Sequence, residues 1–174
     1  GIIGAEITLQ GGHHLTLLVK DRQGYGNLCQ LITQSHASGE RNKPELPLNR
    51  LQEHASGLIA LSGCPNGELS RAVAQSNFNE ARRLINQYLK WFGRENYYIE
   101  LQQNLVFGDR ARDKILLDLA GELGVQVVAT GNVHYHKRER HQLQDALVAI
   151  RNNKSLEDTH RERRPNSEFY LRTR

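Results

Sequence analysis

The stretch 109–136, DRARDKILLDLAGELGVQVVATGNVHYH, decides the fold class that we predict for this chain. Its first half repeats apolar residues from Ile115 to Leu123 at helical spacing and stops at Gly124, a residue type that commonly ends helices. Its second half begins with 125–130, a continuous run rich in β-branched residues, which predicts a buried strand. A helix followed directly by such a strand is typical of α/β folds with parallel strands.

The same alternation of helix and strand patterns continues along the rest of the chain. Predicted strands cover 2–9, 14–19, 58–61, 97–101 and 125–130, with a further short one at 169–171. Predicted helices cover 24–37, 48–54, 77–92, 109–123 and 137–152. We therefore expect a single domain over residues 1–174, in which helices cover either an open parallel sheet or a barrel. No Gly-x-Gly-x-x-Gly or P-loop motif follows a strand, which argues against the nucleotide-binding versions of such folds.

The two cysteines, Cys29 and Cys64, are too few for a disulfide framework and match no zinc-finger spacing. They indicate a reducing, cytoplasmic setting. Cys29 lies among the apolar residues of a predicted helix, so we expect it to be a small core residue. No stretch approaches the roughly 20 apolar residues that a membrane helix needs, and no signal peptide is visible. The sequence contains no Met, which suggests excision from a longer chain.

Positive charge collects toward the carboxyl end of the chain. Residues 137–174 carry ten Lys and Arg against six Asp and Glu, whereas the preceding residues are balanced. A basic segment from about residue 152, which includes the run Arg-Glu-Arg-Arg at 161–164, could contact nucleic-acid phosphate. Because acidic residues are interleaved with the basic ones, an ordinary solvated surface is the favoured interpretation of this segment.

Residues with metal-binding chemistry lie in or beside the predicted strands. Glu6 lies in the first strand, His14 opens the second, Cys64 follows the third, and Asn132 and His134 follow the strand at 125–130. Functional residues of parallel α/β folds cluster at the carboxyl ends of strands. A carboxylate, imidazoles and a thiol are the mixed ligands that borderline-soft transition metals take. Each residue alone is more simply an ordinary paired or buried side chain, and only their joint placement favours a metal site.

Six ordered blocks of the sequence resemble the PHP domain (polymerase and histidinol phosphatase) of bacterial C-family DNA polymerases, the DNA polymerase III α subunits. The blocks are IGAE at 3–6, HLTLLVK at 14–20, GYGNL at 24–28, EHASGLIALSGC at 53–64, YIELQ at 98–102 and ATGNVHY at 129–135. Together they span nearly the whole chain. Their order makes the resemblance far more specific than any one motif.

The resemblance implies an incomplete, distorted (β/α)7 barrel of the PHP type, with mostly parallel strands and a cluster of up to three metal ions at the strand ends. Carried over position by position, Glu6, His14, Cys64, Asn132 and His134 fall on metal-ligand positions, and zinc or manganese are the implied ions. Related domains hydrolyse phosphoesters, and in some polymerases the domain is a metal-dependent 3′–5′ proofreading exonuclease. In others the metal site has decayed, and the domain remains as a scaffold that steadies the polymerase and docks a separate proofreading subunit.

Two departures from the family pattern weaken the expected site. The family's opening His-x-His motif and a following Asp-His segment would lie upstream of Gly1. The position two residues before His134, usually an aspartate in the family, is Asn132, whose neutral amide brings no charge to balance two cations. The pattern at 131–134, followed by Leu-Gln-Asp-Ala-Leu at 143–147, is more similar to the error-prone, damage-associated branch than to the main replicative one.

These observations lead to the hypothesis of a non-catalytic segment of a polymerase that acts in bacterial DNA replication or damage-associated synthesis. The catalytic acids of the polymerase would lie beyond Arg174, so nucleotidyl transfer belongs to the parent chain and not to this segment. The remainder of the polymerase, DNA and a proofreading exonuclease subunit are the implied partners. The alternatives are an active metal-dependent phosphoesterase or exonuclease, and a plain interaction module.

We predict no appreciable phosphoesterase activity from the chain alone. Metal-assisted hydrolysis needs a held ion that lowers the pKa of water and neutralises the phosphate, and the ligands present suffice for one weakly held ion rather than a metal cluster. A time course with a 3′-labelled oligonucleotide and added zinc or manganese should therefore show no release above the buffer control. Metal-stimulated release that disappears in His134→Ala would overturn this prediction.

Overall fold

The computed structural model describes residues 1–38 and 43–172 of the chain. Strands and helices alternate along these residues, which confirms the predicted α/β fold class. The strands are β1 (Gly4–Leu9), β2 (His13–Val19), β3 (Leu58–Leu61), β4 (Tyr97–Gln102) and β5 (Gln126–Thr130). The helices are α1 (Arg22–Ser38), α2 (Leu48–Glu53), α3 (Glu68–Ala74), α4 (Phe78–Phe92), α5 (Asp109–Leu123) and α6 (His141–Asn152). Single-turn 3-10 helices at Arg138–Arg140 and Glu157–Thr159 precede and follow α6.

The five strands form one open sheet in the order β1-β2-β3-β4-β5. Gly11 and Gly12, with φ of 90° and 75°, turn the chain tightly between β1 and β2, and a tight hairpin joins antiparallel neighbours. The pairs β1/β2 and β2/β3 are accordingly antiparallel, whereas β3/β4 is parallel. The parallel arrangement expected from sequence is thus found where α3 and α4 connect β3 to β4, because parallel neighbours require a crossover connection.

The chain folds as two compact units. The first comprises Gly1–Leu101 and Lys114–Val128, and the second comprises Gln102–Asp113 and Ala129–Arg174. The first unit holds the main hydrophobic core, in which the inward residues of β2, Leu15 and Leu17, are fully buried. Because strand side chains alternate between faces, His14 and Thr16 lie on the opposite face of β2. The alternation therefore places Leu15 and Leu17 in the apolar core and the candidate metal ligand His14 on the other face of the strand.

Helix α4 supplies the longest apolar stripe of the first unit and agrees with its prediction. The side chain of Asn77 caps its first turn by accepting from the backbone N–H of Glu80 at 3.2 Å. Its buried residues recur at steps of three and four: Ala81, Leu84, Ile85, Tyr88 and Phe92. Trp91, partly buried beside this stripe, contacts the Tyr88 ring edge to face, with centroids 5.5 Å apart. Periodicity alone is sufficient to predict such a helix.

The prediction that Cys29 belongs to the core is wrong, because its side chain is exposed. Helix α1 instead turns Gly24, Leu28, Leu31 and Ser35 inward. The cause is a close backbone approach: a Cβ on Gly24 would lie 1.8 Å from the carbonyl oxygen of Gly57. This contact fixes the rotation of α1 about its axis, and the rotation leaves Cys29 outside.

The strand at 125–130 is also less buried than predicted. Val125 is buried, but most of β5 is exposed or only partly covered, and Val127 is 41% exposed. In the described part of the chain, β5 is the last strand of the sheet and has β4 as its one neighbour. A run of apolar residues does not reveal whether a strand lies at the centre or at the edge of a sheet.

The second unit is held together largely by buried polar side chains. The buried carboxylate of Asp109 accepts from the backbone N–H of Asn104 at 2.9 Å and pairs with Arg112 at 3.1 Å. The buried amide of Asn104 donates to the carbonyl oxygens of Gly131 at 2.9 Å and Glu168 at 3.1 Å. Such bonds stabilise the fold because each buried group would otherwise lie unsatisfied. The strand predicted at 169–171 is reduced to a single bridge.

The side chain of Cys29 is exposed, whereas that of Cys64 is buried. Among the helices of the described residues, none has the length and apolar character needed to cross a membrane.

Substituting Gly24 should destabilise the protein far more than substituting Gly26, its neighbour in the same helix. Gly24→Ala forces a methyl group into the backbone of Gly57, which should cost about 3 kcal/mol of the free energy of unfolding or prevent folding. A Cβ on Gly26 meets nothing within 4 Å, so Gly26→Ala should be neutral or stabilising by about 0.5–1 kcal/mol. Urea denaturation followed by circular dichroism measures both effects. Equal midpoints for the two variants would refute the close packing of α1.

Candidate metal centre

Glu6 and His14 lie side by side on the polar face of the β1–β2 hairpin. In the register of the hairpin, Glu6 is opposite Thr16 and His14 is opposite Thr8, so the two residues are diagonal neighbours on one face. The Oε1 atom of Glu6 lies 3.2 Å from Nδ1 of His14. The hairpin alone therefore places a carboxylate beside an imidazole.

Cys64 joins this pair because the turn after β3 approaches β2 at backbone distance. Gly63 has φ of +88°, and a Cβ there would lie 2.3 Å from the carbonyl oxygen of His14. The backbone N–H of His14 donates to the carbonyl oxygen of Asn66 at 3.3 Å. In this turn the buried Sγ atom of Cys64 lies 3.3 Å from Nδ1 of His14. The thiol and the imidazole are thus close in space although they lie 50 residues apart in the sequence.

Glu6, His14 and Cys64 form a group whose ligand atoms all lie within 4.8 Å of one another. Ligand atoms around a tetrahedral zinc ion would be roughly 3.4–3.6 Å apart, given bonds of about 2.0–2.3 Å. The measured separations of 3.2 and 3.3 Å from Nδ1 of His14 are close to this spacing. Three protein ligands also leave a coordination position for water or a phosphate oxygen. The donor set therefore fits one borderline-soft ion such as zinc.

Asn132 and His134 lie in the second unit, where they contact each other. Asn132 adopts a left-handed backbone conformation with φ of 45°, which asparagine tolerates better than most residues. Its Oδ1 atom is 3.2 Å from Nε2 of His134. The backbone N–H of His134 donates to the carbonyl oxygen of Phe169 at 2.8 Å, which ties this loop to the end of the described chain.

A guanidinium group contacts one of the two ring nitrogens of His134. Nη2 of Arg164 lies 2.5 Å from Nε2 of His134, and the same guanidinium stacks over the Phe169 ring at 5.1 Å. Arginine has donors and no acceptor, so Nε2 must accept and the imidazole is neutral. Burial of the ring and the charge of Arg164 lower the pKa of His134 to about 4. In this arrangement Arg164 excludes a cation from Nε2 of His134.

The predicted site residues thus separate into two sets. Glu6, His14 and Cys64 are brought together in the first unit, whereas Asn132 and His134 lie with Arg164 in the second. Sequence reasoning missed Arg164, which appeared there only as part of a basic run.

It also missed Glu100, a buried acid whose backbone N–H donates to Oγ of Ser62 at 2.9 Å, immediately before the turn that carries Cys64. The sequence feature that could have indicated Glu100 is a charged residue inside the predicted strand 97–101, whose other members are Tyr, Ile and Leu.

Comparison with known proteins identifies the family. Residues 1–104 match the PHP domain. The chain is 37% identical to an error-prone DNA polymerase of Symbiobacterium thermophilum over 98% of its own length and 17% of that protein. It is 37% identical to the DNA polymerase III subunit alpha of Thermus aquaticus, over 95% of this chain and 14% of that one. The error-prone DNA polymerase of Pseudomonas aeruginosa is 36% identical over 99% of this chain and 15% of its own.

The chain therefore spans about a sixth or less of the length of these relatives. Replicative and error-prone relatives match it almost equally well, so the similarity to the error-prone branch stays a prediction. The open α/β sheet is consistent with a partial (β/α) barrel of the kind predicted. With the match covering more than half of its residues, the chain belongs to the PHP domain family.

Proposed function

We propose that this chain is the PHP segment of a bacterial polymerase of the DNA polymerase III α type, acting in replication or damage-associated synthesis. Its role there is that of a scaffold with a degenerate metal site. The remainder of the polymerase chain is its principal partner, with DNA and a proofreading exonuclease subunit as further partners, all in the cytoplasm. The observation that carries the proposal is the contact of Arg164 with Nε2 of His134, beside the neutral amide of Asn132.

The relatives support the polymerase part of this proposal. Those compared above are named as DNA polymerases, either DNA polymerase III subunit alpha or error-prone DNA polymerase. Because this chain covers only a small part of them, nucleotidyl transfer is assigned to the parent polymerase and not to these residues.

The degenerate metal site follows from the balance of charges. A cluster of two or three divalent ions needs several carboxylates to bridge and neutralise it. The group in the first unit contains one carboxylate, that of Glu6. In the second unit Asn132 supplies an amide in the position of a carboxylate, and Arg164 adds a positive charge beside His134. These residues disfavour a metal cluster and leave at most one site that suits a single ion.

A single ion held by Glu6, His14 and Cys64 would act mainly on structure. When bound, such an ion could polarise a phosphate oxygen or lower the pKa of a water molecule. The three side chains come from β1, from β2 and from the turn after β3, so one ion would tie three consecutive parts of the sheet together. A ligand that binds only the folded state stabilises it in proportion to the logarithm of its concentration over its dissociation constant.

We expect the chain to bind one Co²⁺ or Zn²⁺ ion through Cys64. Cobalt titration should produce the intense near-ultraviolet absorption of a metal–thiolate bond, and zinc should raise the melting temperature. Cys64→Ser should abolish the absorption band and most of the thermal shift, because the thiolate is the softest of the three ligands. Cys29→Ser is the matched control, since Cys29 is an exposed free cysteine.

A band that persists in Cys64→Ser, or that disappears in Cys29→Ser, would refute the assignment. If the wild-type chain binds neither cobalt nor zinc, the proposed single-ion site is refuted and the scaffold role is unaffected.

Removing Arg164 should raise the pKa of His134. The ring is held neutral by burial and by the guanidinium, with a pKa of about 4 against an ordinary value of 6.5. In Arg164→Ala the charge is gone and the pKa should move upward, as measured by NMR titration of the ring protons. Because the unfolded imidazole binds protons that the native one resists, His134 should make wild-type stability rise with pH between about 4 and 6.5, and less steeply in the variant.

Arg161→Ala serves as the control for this titration, because Arg161 belongs to the same basic run and its side chain is exposed. A His134 pKa that is the same in Arg164→Ala and in the wild type would contradict the proposed exclusion of a cation.

The alternative function is that of an active metal-dependent phosphoesterase or 3′–5′ proofreading exonuclease. One observation favours it: the group supplies three protein ligands, the number typical of a catalytic zinc site, with a position left for water or phosphate. Assay of the chain on a 3′-labelled oligonucleotide separates the two functions. If release of the 3′ label depends on metal and on both Cys64 and His134, the result would support the exonuclease function and overturn the scaffold role.

A further inference from the structure

Two arginine side chains contact the ring of Tyr170 in the second unit. The guanidinium carbon of Arg138 is 5.2 Å from the centre of the ring, and that of Arg172 is 5.8 Å from it. Both distances are within the range of cation–π contacts. Residues 136–139 and 170–172 line an open depression of about 650 Å³ around this group. We call Arg138, Tyr170 and Arg172 the arginine–tyrosine cluster.

The cluster carries more positive than negative charge. Glu168 forms ion pairs with both arginines: its carboxylate lies 2.8 Å from Nη2 of Arg138 and 3.7 Å from Nη2 of Arg172. Lys137, which also lines the depression, forms no ion pair in the described part of the chain. The more distant bases Lys154 and Arg163 are neutralised by their own acidic partners. With Glu139 also lining the depression, three basic side chains (Lys137, Arg138 and Arg172) face two acidic ones (Glu139 and Glu168), so the surface around Tyr170 keeps a positive balance.

The backbone beneath the cluster is well fixed. The bridge between Tyr135 and Tyr170 is closed by the N–H of Leu171, which donates to the carbonyl oxygen of Tyr135 at 3.0 Å. Phe169, next to Tyr170, is buried. Nη2 of Arg172 also lies 3.3 Å from the carbonyl oxygen of Gln103. The aromatic ring is thus presented from an ordered support, which reduces the conformational entropy lost on binding a ligand.

We propose that the arginine–tyrosine cluster binds single-stranded DNA. Phosphate groups draw the guanidinium groups of Arg138 and Arg172 off the ring, since a phosphate offers bidentate hydrogen bonds that the ring cannot. An unpaired base then stacks on the Tyr170 ring. Basic side chains that follow the backbone, combined with an aromatic ring that accepts a base, are the recurring features of single-strand binding.

A single strand fits the cluster better than a duplex. In a duplex the bases are stacked on one another, and Tyr170 would have no base face to contact. The proposal deepens the polymerase role proposed above and rests on it for the choice of DNA. Binding through these residues does not depend on the metal centre, so failure of one assignment leaves the other open to its own test.

The test is fluorescence anisotropy of the full 174-residue chain with a labelled oligothymidylate of about 20 nucleotides, measured over a range of salt concentrations. Tyr170→Ala should weaken binding about tenfold through loss of stacking. Arg138→Ala and Arg172→Ala should each weaken binding and lower the slope of log affinity against log salt by about 0.7. Tyr170→Phe keeps the ring and should bind like the wild type, which guards against misfolding as the cause of a loss.

Two matched controls come from exposed residues of the same types outside the cluster. Tyr25→Ala removes an exposed tyrosine of α1, and Arg151→Ala removes an exposed arginine near the end of α6. Neither should change the affinity by more than about twofold. A duplex of the same length should bind more weakly than the single strand, and an oligouridylate distinguishes DNA from single strands in general.

Wild-type affinity in Tyr170→Ala, in Arg138→Ala and in Arg172→Ala would overturn the proposal. Loss of affinity in the arginine variants alone would leave phosphate binding without a base and would contradict the role of Tyr170. Failure of the wild-type chain to bind the single strand even at low salt would likewise refute the proposal and point to a protein partner for this surface.

Discussion

The candidate metal centre depends on how closely the turn after β3 lies against β2. At Gly63 and Gly67 the chain passes neighbouring backbone atoms at distances that leave no room for a side chain: a Cβ on Gly67 would be 2.4 Å from the carbonyl oxygen of Ser62. This approach lets His14 donate its N–H to Asn66 and carries the thiol of Cys64 to the imidazole. Backbone sterics, rather than attraction between ligands, therefore position the third member of the group.

The parts of the structure that sequence predicted well are those governed by local patterns. Helix α4 was found because its apolar stripe repeats at 3.6 residues and its ends carry a capping asparagine and a glycine. Strand β3 was found because four apolar residues are bounded by polar and glycine residues. The three members of the metal group were selected because each lies at or beside a strand, and the α/β architecture brings such positions to one region.

The errors arose where the outcome depends on contacts between distant parts of the chain. The sequence of α1 predicted that Cys29 would face the core, whereas the structure turns Gly24 and Leu31 inward. The approach of Gly24 to Gly57 accounts for this rotation, and no pattern within the helix reveals it. Arg164 meets His134 across thirty residues, and the sequence shows it only as one base in a basic run. Helix α3 was missed because its seven residues are too few for periodicity to appear. Non-local packing decided the first two cases, whereas the short length of α3 decided the third.

The chain contains a single tryptophan, Trp91, so its fluorescence can be used to follow one of the two units. It lies in α4 against the ring of Tyr88, within the first unit. The intrinsic emission of this indole therefore reports the packing of the apolar core and is silent about the polar network around Asp109. Backbone circular dichroism averages over both units. Two denaturation curves that coincide would mean that the units unfold together, and two that separate would mean that each melts by itself.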